Sequence, residues 1–184
     1  MAPAGKDKGH PAVDDEAGFT AFYRATYSQI VGQVYPILGT FAEAEEVAQE
    51  AFSRAATHWA KVSTYDRPEA WVRRVAVNLS MSLSRRTRRR AAALLGLARE
   101  PVVEADPLNR LALVEALNKL PPRYRVVLTM HYLVDLPIRD VADELGLPVA
   151  TVRTRLARGR RRLNEELSLE IVPGVPTVTE VFRA

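Results

Sequence analysis

The stretch LPVATVRTRLARGRRRLNEEL, residues 147–167, carries six arginines between Arg153 and Arg162 and no acid before Glu165. Wound at about 3.6 residues per turn, it separates into two faces. Val149, Val152, Leu156 and Leu163 form one narrow apolar stripe, and Gly159 falls in it where a neighbouring helix can approach closely. Thr154, Ala157, Arg158 and Arg161 point the opposite way, flanked by Arg153 and Arg155. A solvated helix usually mixes acids with bases on its outer face, so this one-sided charge calls for an anionic partner. A guanidinium at Arg153 suits a guanine edge, Arg155 and Arg162 suit phosphate, and the small Ala157 lets the helix approach a groove floor.

Just upstream, IRDVADELG (138–146) predicts a short helix with Ile138, Val141, Ala142 and Leu145 facing inward. Gly146 is placed to end it in the left-handed conformation, which makes a helix-turn-helix with the basic helix. A stand-alone helix-turn-helix regulator satisfies this pattern, and so does a helical adaptor whose basic faces bind protein.

The rest of the chain also reads as all-α. Phe19, Phe22, Tyr23, Tyr27, Ile30, Val31, Val34 and Leu38 recur at helical spacing. Residues 42–60 continue with Val47, Ala51, Phe52 and Ala55 on one side, and KVSTYDRP (61–68) supplies a break. Asp66 is expected to cap the next helix, with Pro68 in its first turn and Glu69 completing a capping box. That helix is expected to bury Trp71, Val75, Leu79 and Leu83. The pattern divides the chain into a disordered lead-in (1–16), a helical domain (17–90), a flexible linker (91–109), a helix-turn-helix domain (110–167) and a mobile tail (168–184).

Bulk properties narrow the function. A chain of 184 residues with 47% hydrophobic content has enough apolar side chains for a core. No apolar run approaches the roughly 20 residues of a membrane span, and the N-terminus lacks the apolar stretch of a signal peptide. With no cysteine, disulfides and thiolate metal sites are excluded, and a reducing cytoplasm is the expected compartment. The net charge of +4 is segregated: bases gather at RRTRRR (85–90) and in the basic helix, acids at EAEEVAQE (43–50). That predicts nucleic-acid-facing patches and a separate acidic surface. Phosphate-loop, dinucleotide, HExxH and GxSxG motifs are absent, and His10, His58 and His131 lack metal-ligand spacing. No catalytic residue, metal or cofactor is expected.

Three quoted stretches together resemble one family, the extracytoplasmic-function (ECF) sigma factors of bacterial RNA polymerase, over roughly residues 19–167. AEEVAQEAFSRA (44–55) resembles the helix that docks on the clamp of the polymerase β′ subunit. WVRRVAVNLSMSLSRRTRRR (71–90) resembles the −10 recognition helix, with the family's asparagine at Asn78. LPPRYRVVLTMHYLVDLPIRDVADELGLPVATVRTRLARGRRRL (120–163) is similar to the −35-reading helix-turn-helix.

The resemblance implies sigma domain 2 joined by a flexible linker to sigma domain 4, and a function in transcription initiation rather than enzymatic chemistry. It implies core-polymerase contacts at Glu46, Gln49 and Glu50. The loop Val62, Ser63, Thr64 and Tyr65, with Asn78, would capture a flipped −10 base, beside Arg85 and Arg86 on the backbone. The −35 contacts would be Arg153, Thr154, Ala157 and Arg158, joined by Arg155 and Arg161 from the helical geometry. Its implied partners are core RNA polymerase (β′ clamp and β flap), promoter DNA and, as in many relatives, an anti-sigma factor. Two departures stand out: Ser82 replaces a common aspartate, and the usual Asp before the acidic helix is missing from GTFAEAEE (39–46). Aromatic residues for holding DNA open have no clear equivalent, since Trp71 is expected in the core; weak melting would follow.

Overall fold

A computed structural model describes residues 11–93 and 108–169, with side-chain environments for 16–86 and 112–167. The described residues are helical throughout, joined by short turns. They form α1 (Pro11–Leu38), α2 (Phe41–Thr57), α3 (Trp59–Val62), α4 (Pro68–Ala93), α5 (Leu108–Lys119), α6 (Pro122–Leu128), a π-helical turn (Thr129–Leu133), α7 (Ile138–Leu145) and α8 (Val149–Leu169).

The helices α1, α2 and α4 pack against one another as the first unit, through Ile30, Val34 and Ile37 of α1, Val47, Ala48, Ala51 and Phe52 of α2, and Val72 and Ala76 of α4. Phe52 also sits within an aromatic group: its ring centroid lies 5.0 Å from Tyr23 and 5.8 Å from Phe22, which in turn lies 5.0 Å from Trp59. Gly39 turns the chain between α1 and α2 at φ 90°. Thr40 then caps α2 by accepting from the Glu43 amide at 3.4 Å, while its hydroxyl donates to the Glu43 carboxylate at 3.0 Å. Threonine thus fills the capping position for which the sequence lacked an aspartate.

The second unit is α5–α8. Val141 and Ala142 of α7 are buried, and Gly146 closes that helix at φ 61°, ψ 39°. The two units do not stand apart. Leu113, Ala116 and Leu117 of α5 belong to the same contiguous buried cluster as Ile30 and Ile37, and α4 touches both α6 and α7.

Several boundaries differ from the sequence expectations. Helix α1 begins at Pro11, inside the stretch read as a disordered lead-in. Proline is suited to a first helical position. The expected break at 61–68 is partly helical: α2 ends at Thr57 with His58 as its cap, and α3 carries the chain to Val62. Pro68 takes the first position of α4, so Arg67 rather than Asp66 precedes the helix, and Glu69 accepts from Arg67 Nε at 3.2 Å instead of completing a box with Asp66. The core face of α4 is also rotated by one residue. Val72, Ala76, Val77 and Ser80 are buried, whereas Trp71, Val75, Leu79 and Leu83 are half-buried. Trp71 thus packs against the core from its edge without being fully buried; small side chains let α4 pack closely along the neighbouring stripe, and Trp59 is the buried tryptophan. Helix α4 runs to Ala93 and α5 starts at Leu108, both inside the expected linker, and α8 runs to Leu169. The remainder of the linker, residues 94–107, the tail from 170 onward and residues 1–10 lie outside the described residues.

Candidate nucleic-acid interface

Helix α8 is held by its apolar stripe: Val152 and Leu163 are fully buried and Leu156 nearly so. Gly159 lets α6 come close, since a Cβ there would lie 3.1 Å from Leu128 Cδ1. This contact fixes the roll of α8 and hence its outer face. Arg153, Thr154, Ala157, Arg158 and Arg161 are exposed and Arg155 is half-buried. Thr154 donates its hydroxyl to the Ala150 carbonyl at 2.9 Å. Arg161 faces Glu165 at 3.7 Å with both side chains largely in water, so the pair neutralises little.

Between the start of α6 and the start of α8 lies a cleft of about 380 Å³ lined by Arg123, Tyr124, Ala150, Thr151, Thr154, Arg155 and Arg158, with no carboxylate among them. Arg123 stacks over the Tyr124 ring at 4.8 Å and Arg162 at 5.5 Å. The Arg123 guanidinium bonded to its hydroxyl, with Arg158 and Arg162 adding positive charge, holds the Tyr124 phenol below its ordinary value despite burial of the ring. Three guanidiniums around one concave surface make an anion seat. Arg123 and Tyr124 were missed in the sequence because they lie about 25 residues upstream of α8, on a helix read only as structural. The signal was present as an arginine beside a tyrosine at the start of α6.

On α4, Asn78, Arg85 and Arg86 are exposed, and Arg74, one turn before Asn78, joins the same stripe. Arg85 donates to Ser82 Oγ at 3.0 Å. A neutral acceptor at 82 leaves the arginine's charge available, where an aspartate would have cancelled it. Side chains of residues 87–90, the rest of the expected basic cluster, lie outside the described set. In the 62–65 loop, Ser63, Thr64 and Tyr65 are exposed, and Thr64 donates to the Lys61 carbonyl at 2.8 Å. Val62 is a correction: it closes α3 with 1% exposure, so it anchors the loop in the core and cannot touch a base.

The acidic face lies on α2. Glu46, Gln49 and Glu50 are all exposed. Glu50 accepts from Arg54 at 2.8 Å. Tyr27 is raised above its ordinary value by burial, a shift that its hydrogen bond to Gln49 partly opposes. The structure thus presents three polar surfaces on one helical body: an acidic face on α2, a basic stripe on α4 and a basic face on α8. No group of three His, Cys, Asp or Glu side chains among the described residues is arranged to hold a metal, and no described helix is long and apolar enough to cross a membrane.

Two family models match the chain: sigma-70 region 2 over residues 22–90 and sigma-70 region 4 over residues 110–163. The ECF RNA polymerase sigma factor SigW of Bacillus subtilis is 30% identical over 172 residues, covering 83% of this chain and 90% of SigW. The probable ECF RNA polymerase sigma factor SigI of Mycobacterium tuberculosis is 30% identical over 159 residues, covering 79% of this chain and 54% of that protein. The chain thus spans most of one relative and about half of the other. In fold, it is similar to the sigma factor RpoE of Bartonella quintana, solved with the anti-sigma factor NepR (TM-score 0.66, 21% identity, 83% of this chain and 98% of that one). It is also similar to CnrH, solved with the cytosolic domain of CnrY (TM-score 0.60, 24% identity, 86% and 96%).

Proposed function

The chain belongs to the ECF sigma factors of RNA polymerase, and from that membership we propose how its three polar surfaces divide the work of starting transcription. The chain binds core polymerase and directs it to promoters by their −35 and −10 elements. Residues 17–90 serve core docking and the −10 element, and residues 110–167 serve the −35 element. Glu46, Gln49 and Glu50 meet the β′ clamp, and the second unit meets the β flap. Helix α8 enters the −35 major groove with Arg153, Thr154, Ala157 and Arg158 toward base edges, while Arg155, Arg161, Arg123 and Tyr124 hold phosphate. Ser63, Thr64, Tyr65 and Asn78 receive an unpaired −10 base, and Arg74, Arg85 and Arg86 follow the adjoining backbone. The chain does no chemistry of its own and works in the cytoplasm, where the polymerase is. An anti-sigma protein is a further candidate partner, by analogy with the complexes of RpoE and CnrH.

The observation that carries this reading is the pairing, in one chain, of an acid-free arginine face on α8 with the exposed Asn78 and Arg85 stripe on α4. A stand-alone regulator needs only the first. The test adds purified protein to sigma-free core polymerase on a genomic fragment library and sequences the transcript starts. Starts that need the protein and share −35 and −10 motifs are expected. DNA binding by the protein alone, without new starts, supports the regulator instead.

A further inference from the structure

Tyr124 stands at the start of α6 and leans on the middle of α8. Gly159 opens the place for it: a Cβ on the glycine would lie 3.3 Å from Tyr124 Cβ, so a larger residue there presses on the tyrosine. Arg155 and Arg162 lie one turn to either side of Gly159 on α8, and Arg158 directly precedes it. Tyr124 is 5% exposed, whereas Arg123, Arg158 and Arg162 reach into solvent. Its ring carries Arg123 at 4.8 Å and Arg162 at 5.5 Å, and its hydroxyl accepts from Arg123 and from Arg158. Packing alone does not account for this residue. A phenylalanine ring would fill the same space, and a buried hydroxyl calls for partners; those it has are guanidiniums of the surface turned toward DNA.

We propose that Tyr124 is a positioning residue for promoter reading: its hydroxyl aims the Arg158 guanidinium at one base edge of the −35 duplex, and its ring holds Arg123 and Arg162 toward the phosphates. The inference rests on the promoter-reading function above and adds to it a residue that acts through others. An unrestrained arginine samples many rotamers and gives up that freedom when it settles on a base edge, which weakens binding. An arginine already bonded to the tyrosine has given it up before DNA arrives. Of the five N–H donors on a guanidinium the phenol oxygen takes one, and the rest remain for guanine or phosphate.

The chemistry suits the task. Three cations gathered on one surface repel one another, and the negative face of the ring together with the lone pairs of the hydroxyl opposes that repulsion. The hydroxyl hydrogen stays free to donate to a phosphate oxygen, so the neutral phenol is the working form. Dependence on Tyr124 is selective: Arg158 uses the hydroxyl, Arg162 the ring, and Arg153, which does not line the cleft, neither.

The test selects randomised duplexes with the full chain, alone and bound to core polymerase, and counts the recovered sequences. The position read by Arg158 is the one whose preference Arg158→Ala erases. Tyr124→Phe keeps the ring and should relax preference at that position by about tenfold, with a loss shared by all sequences of about twofold at most. Combined with Arg158→Ala it should cost nothing further at that position, whereas its effect and that of Arg153→Ala should add. Tyr124→Leu removes the aromatic face as well and should weaken all sequences by about a further threefold. In the free chain, NMR relaxation at the arginine Nε–H groups should show Arg158 ordered, and mobile in Tyr124→Phe. Thermal unfolding identifies any variant that fails to fold. A uniform loss in Tyr124→Phe, an unaltered preference, full additivity with Arg158→Ala, or an Arg158 side chain as mobile in the unmodified chain as in the variant each overturns the proposal. An unmodified chain that selects no sequence overturns the promoter-reading function instead, and the Nε–H signals still decide whether Tyr124 orders the arginines.

Discussion

Gly159 of α8 faces Leu128 of α6 so closely that a Cβ on the glycine would lie 3.1 Å from Leu128 Cδ1 and 3.3 Å from its Cγ. The roll of the DNA-facing helix is set at this contact. Alanine at 159 gains about 1 kcal/mol of helix propensity against about 1–3 kcal/mol for an overfilled contact. Gly159→Ala should therefore cost about 0–2 kcal/mol, and Gly159→Val, bulkier and β-branched, about 3 kcal/mol or more. Thermal unfolding measures both. Equal stability in the two variants would mean that α6 and α8 do not meet as closely as described.

Base contacts and phosphate contacts should separate in binding experiments on promoter DNA with the polymerase holoenzyme. Arg153→Ala should relax selection at one −35 position by about 1–3 kcal/mol and leave other positions alone. Arg123→Ala, in the cleft beside Tyr124, should weaken all sequences alike and reduce the slope of log affinity against log salt by about 1. A sequence-dependent loss at Arg123 would move that residue from the backbone to the bases.

The tyrosines should titrate over a spread of pH. Tyr124 is held below its ordinary value of 10.0 by Arg123 foremost, and Tyr27 is pushed above it by burial. Phenolate absorbance should therefore begin to rise early and finish late, and Arg123→Ala should remove the early component. DNA in the cleft should move that component up, because phosphate oxygens disfavour a neighbouring phenolate. A phenol whose pKa is lowered on folding, as at Tyr124, adds stability that is complete above its unfolded value near 10 and is lost as pH falls through the folded one, whereas the raised Tyr27 costs stability as pH rises through that unfolded value. Six tyrosines titrating as one group would rule out the Arg123 contact.

Helical period alone made the outer face of α8 legible, because its buried and exposed residues differ sharply in polarity along every turn. Gly146 was legible for a similar reason: a glycine directly after an apolar stripe marks a left-handed ending. Asp135 adopts the same conformation at φ 56° with no such signal, since an aspartate there looks like any polar loop residue. The core face of α4 was misread by one position because two adjacent stripes are apolar. The winning stripe contains Ala76 and Ser80, whose small size permits close packing but gives little hydrophobic signal. Ser80 meets its polar requirement within the helix, donating to the Ala76 carbonyl at 2.8 Å. Val62 was misassigned because turn residues on its C-terminal side concealed a short helix. Arg73 and Arg125 escaped altogether. Their partners Glu144 and Ile37 lie 71 and 88 residues away, and no local pattern announces a buried cation.

Glu50 gives the cleanest separation of docking from folding. It is exposed on α2 and pairs with Arg54 at 2.8 Å, with about half of each side chain in water. Such an i,i+4 pair contributes about 0.3–0.5 kcal/mol, so Glu50→Ala should leave the unfolding midpoint nearly where it was. If the acidic face of α2 meets the polymerase clamp, the same change should abolish promoter-directed transcription and weaken capture of core enzyme. Glu50→Gln tests whether charge or hydrogen bonding carries the contact: loss in both variants assigns it to charge, and recovery in the glutamine variant assigns it to the carbonyl oxygen. Val47, one turn away and 5% exposed, is the control, because Val47→Ala should lower stability by about 1–2 kcal/mol through lost apolar burial while the docking face stays intact. Full transcription from the Glu50→Ala chain would move the docking surface off α2.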